Sequence, residues 1–223
     1  MAEKLNYVSY KDVGFCEHHC VFDSWLKMLP VSCEISIFDM GCGNANVLNY
    51  LTRVDRYVGI EISERCLEVA NQQINNLGQF VSFADWSQAH LMPDPSMRLL
   101  QEPRLIENVQ LFLQDIEEKI SEEVLSAMNR CNICYLDSTL TMVERPLEVL
   151  KTLIDQSFEY IFLNRTNLDN PCTIKTTNKW DGMETESTLW KFGEDYILSS
   201  LSENPKIYNV DIGNNWLALK LSQ

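Results

Sequence analysis

Long apolar runs and positive charge are both scarce in this sequence. No stretch of the 223 residues approaches the roughly 20 apolar residues of a membrane-spanning helix. Met1–Asn6 shows no apolar segment behind a basic cluster, so we also expect no secretory signal and predict a cytoplasmic protein. Internal repeats and low-complexity tracts are absent too, which predicts a single domain over residues 1–223.

The charge balance disfavours nucleic acid as a partner. Lys and Arg number 18 against 32 Asp and Glu, which gives a net charge of −14. Proteins that bind nucleic acid draw much of their affinity from Lys and Arg on phosphates, and no Lys/Arg-rich run is present here. We expect a small molecule, a sugar or a protein as the partner instead.

The eight cysteines do not form a disulfide framework. Such frameworks belong to shorter, cysteine-denser, secreted chains, so we expect reduced thiols. Cys131 and Cys134 have redox or zinc spacing, but they open an apolar run that is typical of a core strand. The segment Cys16–Cys20 also contains His18 and His19, yet on a helix these histidines would point away from the face shared by the two cysteines. We therefore predict no metal site.

Strands and helices alternate along the chain. Apolar runs predict strands at 35–40, 57–60, 109–113, 133–136 and 160–163, with helices at 15–29, 47–51, 63–77, 117–128, 146–154 and 192–201. Two final strands, 207–212 and 216–221, are joined across Gly213-Asn214-Asn215, which is a hairpin signal. The pattern predicts an α/β fold with a doubly wound, mostly parallel seven-stranded sheet that ends in an antiparallel hairpin.

Two segments lie outside this alternation. Residues 1–34 form a predicted helical cap at the amino terminus. Residues 78–108 contain Pro93, Pro95 and Pro103, and we expect either an insertion or a lid there.

The most informative segment is a glycine turn between a strand and a helix. Asp39 ends the strand, Gly41 and Gly43 follow, and Glu61 stands at the end of the next strand. Glycines allow a ligand to approach the backbone, and a carboxylate at that second position can accept both hydroxyls of a ribose. A dinucleotide fingerprint would place a third glycine at position 46, where this chain has Asn46, so a different nucleoside is indicated.

Asp39–Asn46 together with Val58-Gly-Ile-Glu61 resembles the first two motifs of class I, Rossmann-like methyltransferases. The resemblance implies S-adenosylmethionine as cofactor and an enzyme that transfers its methyl group. The implied cofactor contacts are Asp39, Gly41, Cys42, Gly43, Asn44, Glu61 and Ile62. By the same resemblance, Asp39 would support either the turn or the methionine amino group.

The resemblance also implies a contact to adenine after the third strand. Asp85 stands at the usual distance from Glu61, whereas Gln114, Asp115 and Ile116 lie farther along but lead directly into a helix. We favour the second group. The family places residues that face the reacting centre after the fourth strand, which here means Asp137 and Ser138.

A fainter resemblance connects residues 109 to about 210 with methyltransferases of bacterial surface-polysaccharide gene clusters. It rests on Leu136–Pro146, Tyr160–Thr166 and Trp190-Lys-Phe, and it implies a saccharide acceptor. The glycine turn departs from that group's glycine-richer version, and residues 80–108 have no counterpart there.

An oxygen acceptor needs a base of near-neutral pKa, for which histidine is suited. The candidate bases are His18, His19 and Asp137, and Tyr10, Ser138 and Arg165 are candidate acceptor contacts. The resulting hypothesis is O- or N-methylation of a small molecule or saccharide. A protein or RNA methyltransferase, or a methyltransferase-like scaffold without activity, are the alternatives.

Overall fold

The computed structural model describes residues 17–75, 108–165, 172–180, 183–191, 201, 204–213 and 216–222. Its strands are β1 (Ser36–Met40), β2 (Arg56–Glu61), β3 (Val109–Leu113), β4 (Ile133–Asp137), β5 (Tyr160–Asn164), β6 (Cys172–Trp180), β7 (Met183–Lys191), β8 (Ile207–Gly213) and β9 (Trp216–Leu221). The helices are α1 (Glu17–Leu26), α2 (Glu64–Asn75), α3 (Glu122–Met128) and α4 (Pro146–Ile154), with short 3₁₀ helices at Asn46–Asn49 and Thr139–Thr141.

A seven-stranded sheet in the order β3-β2-β1-β4-β5-β9-β8 forms the centre of the fold. The first five strands in this order pair in parallel, and β9 then pairs antiparallel with both β5 and β8. The predicted α/β sheet with a carboxyl-terminal antiparallel hairpin is therefore confirmed. The strand order changes direction at β1 and β4, and in open α/β sheets ligands bind at that point, outside the carboxyl ends of the strands.

Apolar layers cover both faces of the sheet. Phe38 and Met40 of β1 pack on one side, in a layer that includes α3 and α4. Ile37 packs on the other side with residues of α1, where Phe22 stacks on the ring of Tyr135 at 4.1 Å. Successive residues of a strand point to opposite faces, so a strand covered on both faces is apolar along its whole length. This explains why the apolar runs located the central strands well.

Helix α1 is joined to the segment before β2 by a buried carboxylate. Asp23 is fully buried, and its Oδ1 accepts hydrogen bonds from the backbone N–H and the hydroxyl of Thr52 at 2.6 and 2.8 Å. Its Oδ2 lies 3.0 Å from the ammonium of Lys27, one helical turn later. Arg53 adds bonds to the carbonyls of Leu29 and Cys33 beyond the end of the helix. These contacts fix α1 against the sheet.

Several helix predictions were too long. The predicted helix at 47–51 is the 3₁₀ helix Asn46–Asn49, preceded by Ala45 in the left-handed region, a backbone turn that a continuous α-helix does not allow. The helix predicted at 117–128 starts only at Glu122, because Ser121 accepts a bond from the backbone N–H of Val124 and caps it there. Helix α1 likewise ends at Leu26, earlier than the predicted residue 29.

The antiparallel pair β6 and β7 was not predicted. These strands form a separate two-stranded sheet, and β7 lies against the 3₁₀ helix Thr139–Thr141. Their sequences are rich in threonine and charge, so they lack the apolar run that marked the other strands.

Several predictions concern residues that the structure does not describe. The possible insertion or lid at 78–108 lies outside the described residues except for Asn108, and so do Tyr10, Asp85 and almost all of the helix predicted at 192–201. The single domain over 1–223 stays a prediction. Among the described residues, no helix combines the length and apolarity needed to cross a membrane.

Candidate functional site

The predicted site residues collect at one edge of the sheet. The parallel register places Met40 beside both Ile60 and Leu136, so the carboxyl ends of β1, β2 and β4 are level. Glu61 and Asp137 end two of these strands, and the glycine turn follows the third. Thr139 ties the two sides of this edge together, because its hydroxyl donates to the carbonyl of Met40 at 2.6 Å.

The glycine turn needs glycine at both positions, for different reasons. Gly41 has a φ of +75°, and a Cβ added there would lie 2.8 Å from the hydroxyl of Thr139. Gly43 has a φ of +55°, but a Cβ added there would meet nothing within 4 Å. The backbone at Gly43 therefore borders open space, as expected of a glycine that a ligand approaches closely.

Glu61 binds the turn from the neighbouring strand. Its Oε2 accepts a bond from the backbone N–H of Gly43 at 2.9 Å, and its Oε1 accepts from those of Ile62 and Ser63 at 3.0 and 2.9 Å. The side chain is nearly buried. A carboxylate offers about four acceptor positions, so capacity remains for a hydroxyl of a bound ribose.

Asp39 lies beneath the turn, and its partner is Tyr57 of β2. The tyrosine hydroxyl donates to Oδ2 at 2.5 Å, and both side chains are buried. Burial raises the pKa of Asp39 to about 8, the bond from Tyr57 acts in the opposite direction, and the charges of Asp137 and Glu61 raise it further. The sequence left open whether Asp39 supports the turn or the cofactor; here it contacts the strand that supports the turn.

Two loop residues beside the glycines have different surroundings. Cys42 is buried, and its pKa is raised well above the usual value by burial and then by the nearby Asp39 and Glu61, so the thiol stays protonated. Asn44 is half-buried. Two residues later, Asn46 has a buried Oδ1 with no hydrogen-bond partner among the described residues. Buried polar atoms are almost always paired, so this atom fits a turn whose polar partner is a ligand.

The residues predicted to border adenine follow β3, directly beside Glu61. Gln114 donates its backbone N–H to the carbonyl of Glu61 at 3.0 Å, and Asp115 Oδ1 accepts from the backbone N–H of Glu117 at 2.9 Å. Ile116 packs on the apolar layer of α3 and α4. Ile62 is 41% exposed at the same edge, which leaves an apolar surface beside the carboxylate of Glu61.

The three candidate bases form one group, which we name the His–Asp cluster: His18, His19 and Asp137. His18 Nε2 lies 3.4 Å and His19 Nδ1 3.5 Å from the same Oδ2 of Asp137. The imidazole centroids are 4.2 Å apart. The sequence offered these residues as alternatives, whereas the structure brings all three together.

Polar residues around the His–Asp cluster hold its members in place. Arg165 donates from Nε to Oδ1 of Asp137 at 2.6 Å and from Nη2 to Oδ2 at 3.0 Å. Asn164 donates from Nδ2 to the carbonyl of His18 at 2.7 Å and to the hydroxyl of Tyr135 at 3.2 Å. That hydroxyl lies 3.2 Å from His19 Nδ1. Tyr135 and Asn164 were missed in the sequence, where Tyr135 is part of an apolar strand run and Asn164 directly follows one.

The cluster is enclosed on the His19 side and open on the other. Burial, followed by the charges of His18 and Arg165, holds the pKa of His19 well below its usual value, so this imidazole is neutral at pH 7. His18 keeps 23% of its side chain exposed and Arg165 47%. Ser138 adopts a left-handed φ of 61° beside the cluster, where its N–H donates to the carbonyl of Asn164. A reacting group can therefore approach from the side of His18 and Arg165.

Comparison with known proteins agrees with this geometry. A family model described as a methyltransferase domain matches residues 38–97, which include the glycine turn and Glu61. No curated protein matches the chain.

Solved methyltransferase structures share the fold over most of their length. An S-adenosylmethionine-dependent methyltransferase from Mesorhizobium loti is 12% identical with a TM-score of 0.50, and the match covers 90% of this chain and 96% of that one. The chain has the class I methyltransferase fold. Magnesium protoporphyrin IX methyltransferase (ChlM) from Synechocystis PCC 6803 with bound SAH is 12% identical with a TM-score of 0.53, covering 92% and 83%. The N-terminal domain of EvdMO1, in the presence of SAH and D-fucose, is 10% identical with a TM-score of 0.52, covering 100% and 92%.

The family match over residues 38–97 agrees with the predicted enzyme class, a methyltransferase. The solved structures confirm the class I, Rossmann-like fold, at sequence identities of 10–12%.

Proposed function

We propose that this methyltransferase transfers a methyl group to a hydroxyl or amine of a small molecule or saccharide. The observation that carries this proposal is the position of the His–Asp cluster, level with the glycine turn at one edge of the sheet. The glycine turn and Glu61, which could bind a nucleoside, thus lie at the same edge of the sheet as the His–Asp cluster, which could accept a proton. The saccharide class rests on the fainter sequence resemblance alone.

The cofactor would lie between the glycine turn and the residues that follow β2 and β3. Glu61 would bind the ribose, Gly41–Asn44 would border its methionine part, and Ile62, Gln114, Asp115 and Ile116 would border the adenine. When bound, S-adenosylmethionine supplies a methyl group already activated by its sulfonium charge. The protein then mainly has to align the acceptor with this methyl group and exclude water.

The His–Asp cluster would accept the proton that an oxygen acceptor releases. The carboxylate of Asp137 faces both imidazoles, and its negative charge stabilises a proton taken up by the partly exposed His18, whereas burial keeps His19 neutral. Arg165 and Ser138 border the open side and would contact the acceptor. Tyr10 is a further candidate contact from the sequence.

The partner and location predictions rest on sequence composition. The net charge of −14 disfavours RNA or DNA as the acceptor, and the cytoplasm remains the predicted location. A protein acceptor or a scaffold without activity would each give a different result in the following experiment.

The test begins with calorimetric titration of S-adenosylmethionine into the wild type, Glu61→Ala and Glu64→Ala. Loss of charged hydrogen bonds should weaken binding by about 10- to 100-fold in Glu61→Ala. Glu64→Ala removes the same charge from an exposed position on α2 and should bind as the wild type does. Equal affinity in all three proteins would contradict the cofactor site.

The acceptor is then sought by measuring S-adenosylhomocysteine release over panels of sugars, small alcohols and amines, peptides and RNA. Turnover on a sugar or small molecule that falls at least tenfold in Asp137→Asn supports the proposal. Turnover on peptides or RNA alone would overturn the acceptor class. Cofactor binding without turnover on any panel would favour the inactive scaffold.

A further inference from the structure

The donor atoms of the His–Asp cluster are spaced like metal ligands. Two nitrogens lie 3.4 and 3.5 Å from one carboxylate oxygen. Charge-assisted N–H···O bonds are shorter, at about 2.7–2.9 Å. Ligands bound to one tetrahedral ion at about 2.0–2.1 Å are separated by about 3.3–3.4 Å. One ligand atom from each of the three residues lies within 4.8 Å of the others, so the nitrogens would have to move closer to each other on binding one ion. We infer that His18, His19 and Asp137 together bind one divalent cation of the zinc type.

The kinds of ligand identify the class of cation. Two imidazole nitrogens and one carboxylate oxygen suit zinc and its first-row neighbours, whereas magnesium and calcium prefer oxygen ligands only. Three protein ligands leave a fourth position for water or an acceptor, which is the pattern of catalytic rather than structural zinc sites. The exposed fraction of His18 gives that position access to solvent.

The surrounding residues orient the ligands as the second layer of a metal site does. Arg165 donates a short hydrogen bond to Oδ1 of Asp137 and a longer one to Oδ2. A second lone pair of Oδ2, which faces the imidazoles, therefore remains available to a cation. Hydrogen bonds of this kind to ligating carboxylates are usual at metal sites. The hydroxyl of Tyr135 contacts the same nitrogen of His19 that would bind the cation, so this contact would have to break. The tyrosine hydroxyl would still accept the hydrogen bond from Asn164.

The guanidinium of Arg165 and the hydroxyl of Tyr135 would both weaken the binding of a cation. Arg165 repels it electrostatically, so we expect exchangeable binding in the micromolar range rather than the very tight binding of structural zinc sites. At the open position, a bound cation would lower the pKa of a coordinated hydroxyl. It would then replace the imidazoles in activating an oxygen acceptor, since a nitrogen bound to metal cannot also accept a proton.

The test uses Co²⁺ as a coloured substitute for zinc, titrated into the metal-free full chain without cofactor. We expect one ion per chain, with the visible bands of tetrahedral cobalt and no sulfur-to-metal charge-transfer band in the near ultraviolet. Added Zn²⁺ should bleach the colour. His18→Ala and Asp137→Asn should each weaken binding at least tenfold, whereas His90→Ala, which removes the remaining histidine of the sequence, should not.

Four results would overturn the metal site: no colour in the wild type, colour unchanged in His18→Ala and Asp137→Asn, loss of colour in His90→Ala, or a sulfur band. Thermal unfolding checks that each variant folds, and His18→Gln replaces His18→Ala if the latter does not. The same preparations are titrated with S-adenosylmethionine without metal. Cofactor binding without cobalt binding would overturn the metal site alone, and the reverse would overturn only the cofactor assignment of the proposed function.

Discussion

Tyr57 donates a 2.5 Å hydrogen bond to Asp39 across the first two strands of the sheet, with both side chains buried. The pair lies directly beneath the glycine turn, so the protonation of one carboxyl group is linked to the stability of the site. The pKa of Asp39, about 8, lies far above the value of about 3.9 expected in an unfolded chain.

We predict that Asp39 makes folding stability fall as the pH rises from about 4 to about 8. The raised pKa means that the folded chain retains this proton while the unfolded chain has lost it, so the contribution is fully present below pH 4. The free energy of unfolding of the wild type relative to Asp39→Asn should drop by a few kcal/mol over this range. Urea unfolding at several pH values measures it, and a pH-independent difference would contradict the assignment.

The two glycines should respond differently to alanine. Gly41→Ala adds a methyl group against the Thr139 side chain and strains the backbone, so it should cost on the order of 1–3 kcal/mol of stability. Gly43→Ala meets no neighbouring atom and should cost only about 1–2 kcal/mol from its positive φ. Its methyl group would occupy the space we assign to the cofactor, so calorimetry should show weakened binding. Wild-type affinity in Gly43→Ala would place the cofactor elsewhere.

Asp23 should prove important for stability although it is not itself one of the proposed site residues. Asp23→Ala removes a buried carboxylate that serves both Thr52 and Lys27, and we expect a loss of about 3 kcal/mol. The control is Asp155→Ala, which breaks an exposed ion pair with Lys206 and should cost about 0–1 kcal/mol. Similar losses in the two variants, measured by urea unfolding, would contradict the role of Asp23.

Arg165 should affect turnover and leave cofactor binding unchanged. Its guanidinium contacts Asp137, so Arg165→Ala should lower kcat/KM for the acceptor at least tenfold, or about 1.4 kcal/mol. Arg130, exposed in the turn before β4 at the opposite end of the strand, provides the control variant Arg130→Ala. Once an acceptor is found, S-adenosylhomocysteine release measures the first effect and calorimetry the second. A change confined to cofactor affinity would contradict this role.

The central sheet could be predicted because buried parallel strands are apolar on both faces. For β3 and β9 the predicted and observed bounds coincide, at Val109–Leu113 and Trp216–Leu221. The hairpin of β6 and β7 was missed because its threonine-rich strands carry no such run. A signal was available in Asp181-Gly182, a pair favoured in hairpin turns, which follows a stretch rich in β-branched residues.

The site was predictable only where its parts are close in sequence. The glycine turn and the strand-end carboxylate follow from local pattern. The meeting of Asp137 with His18 and His19 does not, because it depends on how α1 docks on the sheet: His19 and its contact Tyr135 are 116 residues apart. The spacing of apolar residues within a single helix or strand cannot predict a contact between such distant parts of the chain.

Both imidazoles of the cluster belong to α1, whereas the glycine turn and Glu61 belong to the first two strands and their connection. The two halves of the site are therefore separately anchored. Displacing α1 would separate both imidazoles from Asp137 and leave the proposed nucleoside contacts in place. The attachment of one short helix, through Asp23 and Phe22, thus decides whether a chain able to hold the methyl donor is also able to use it.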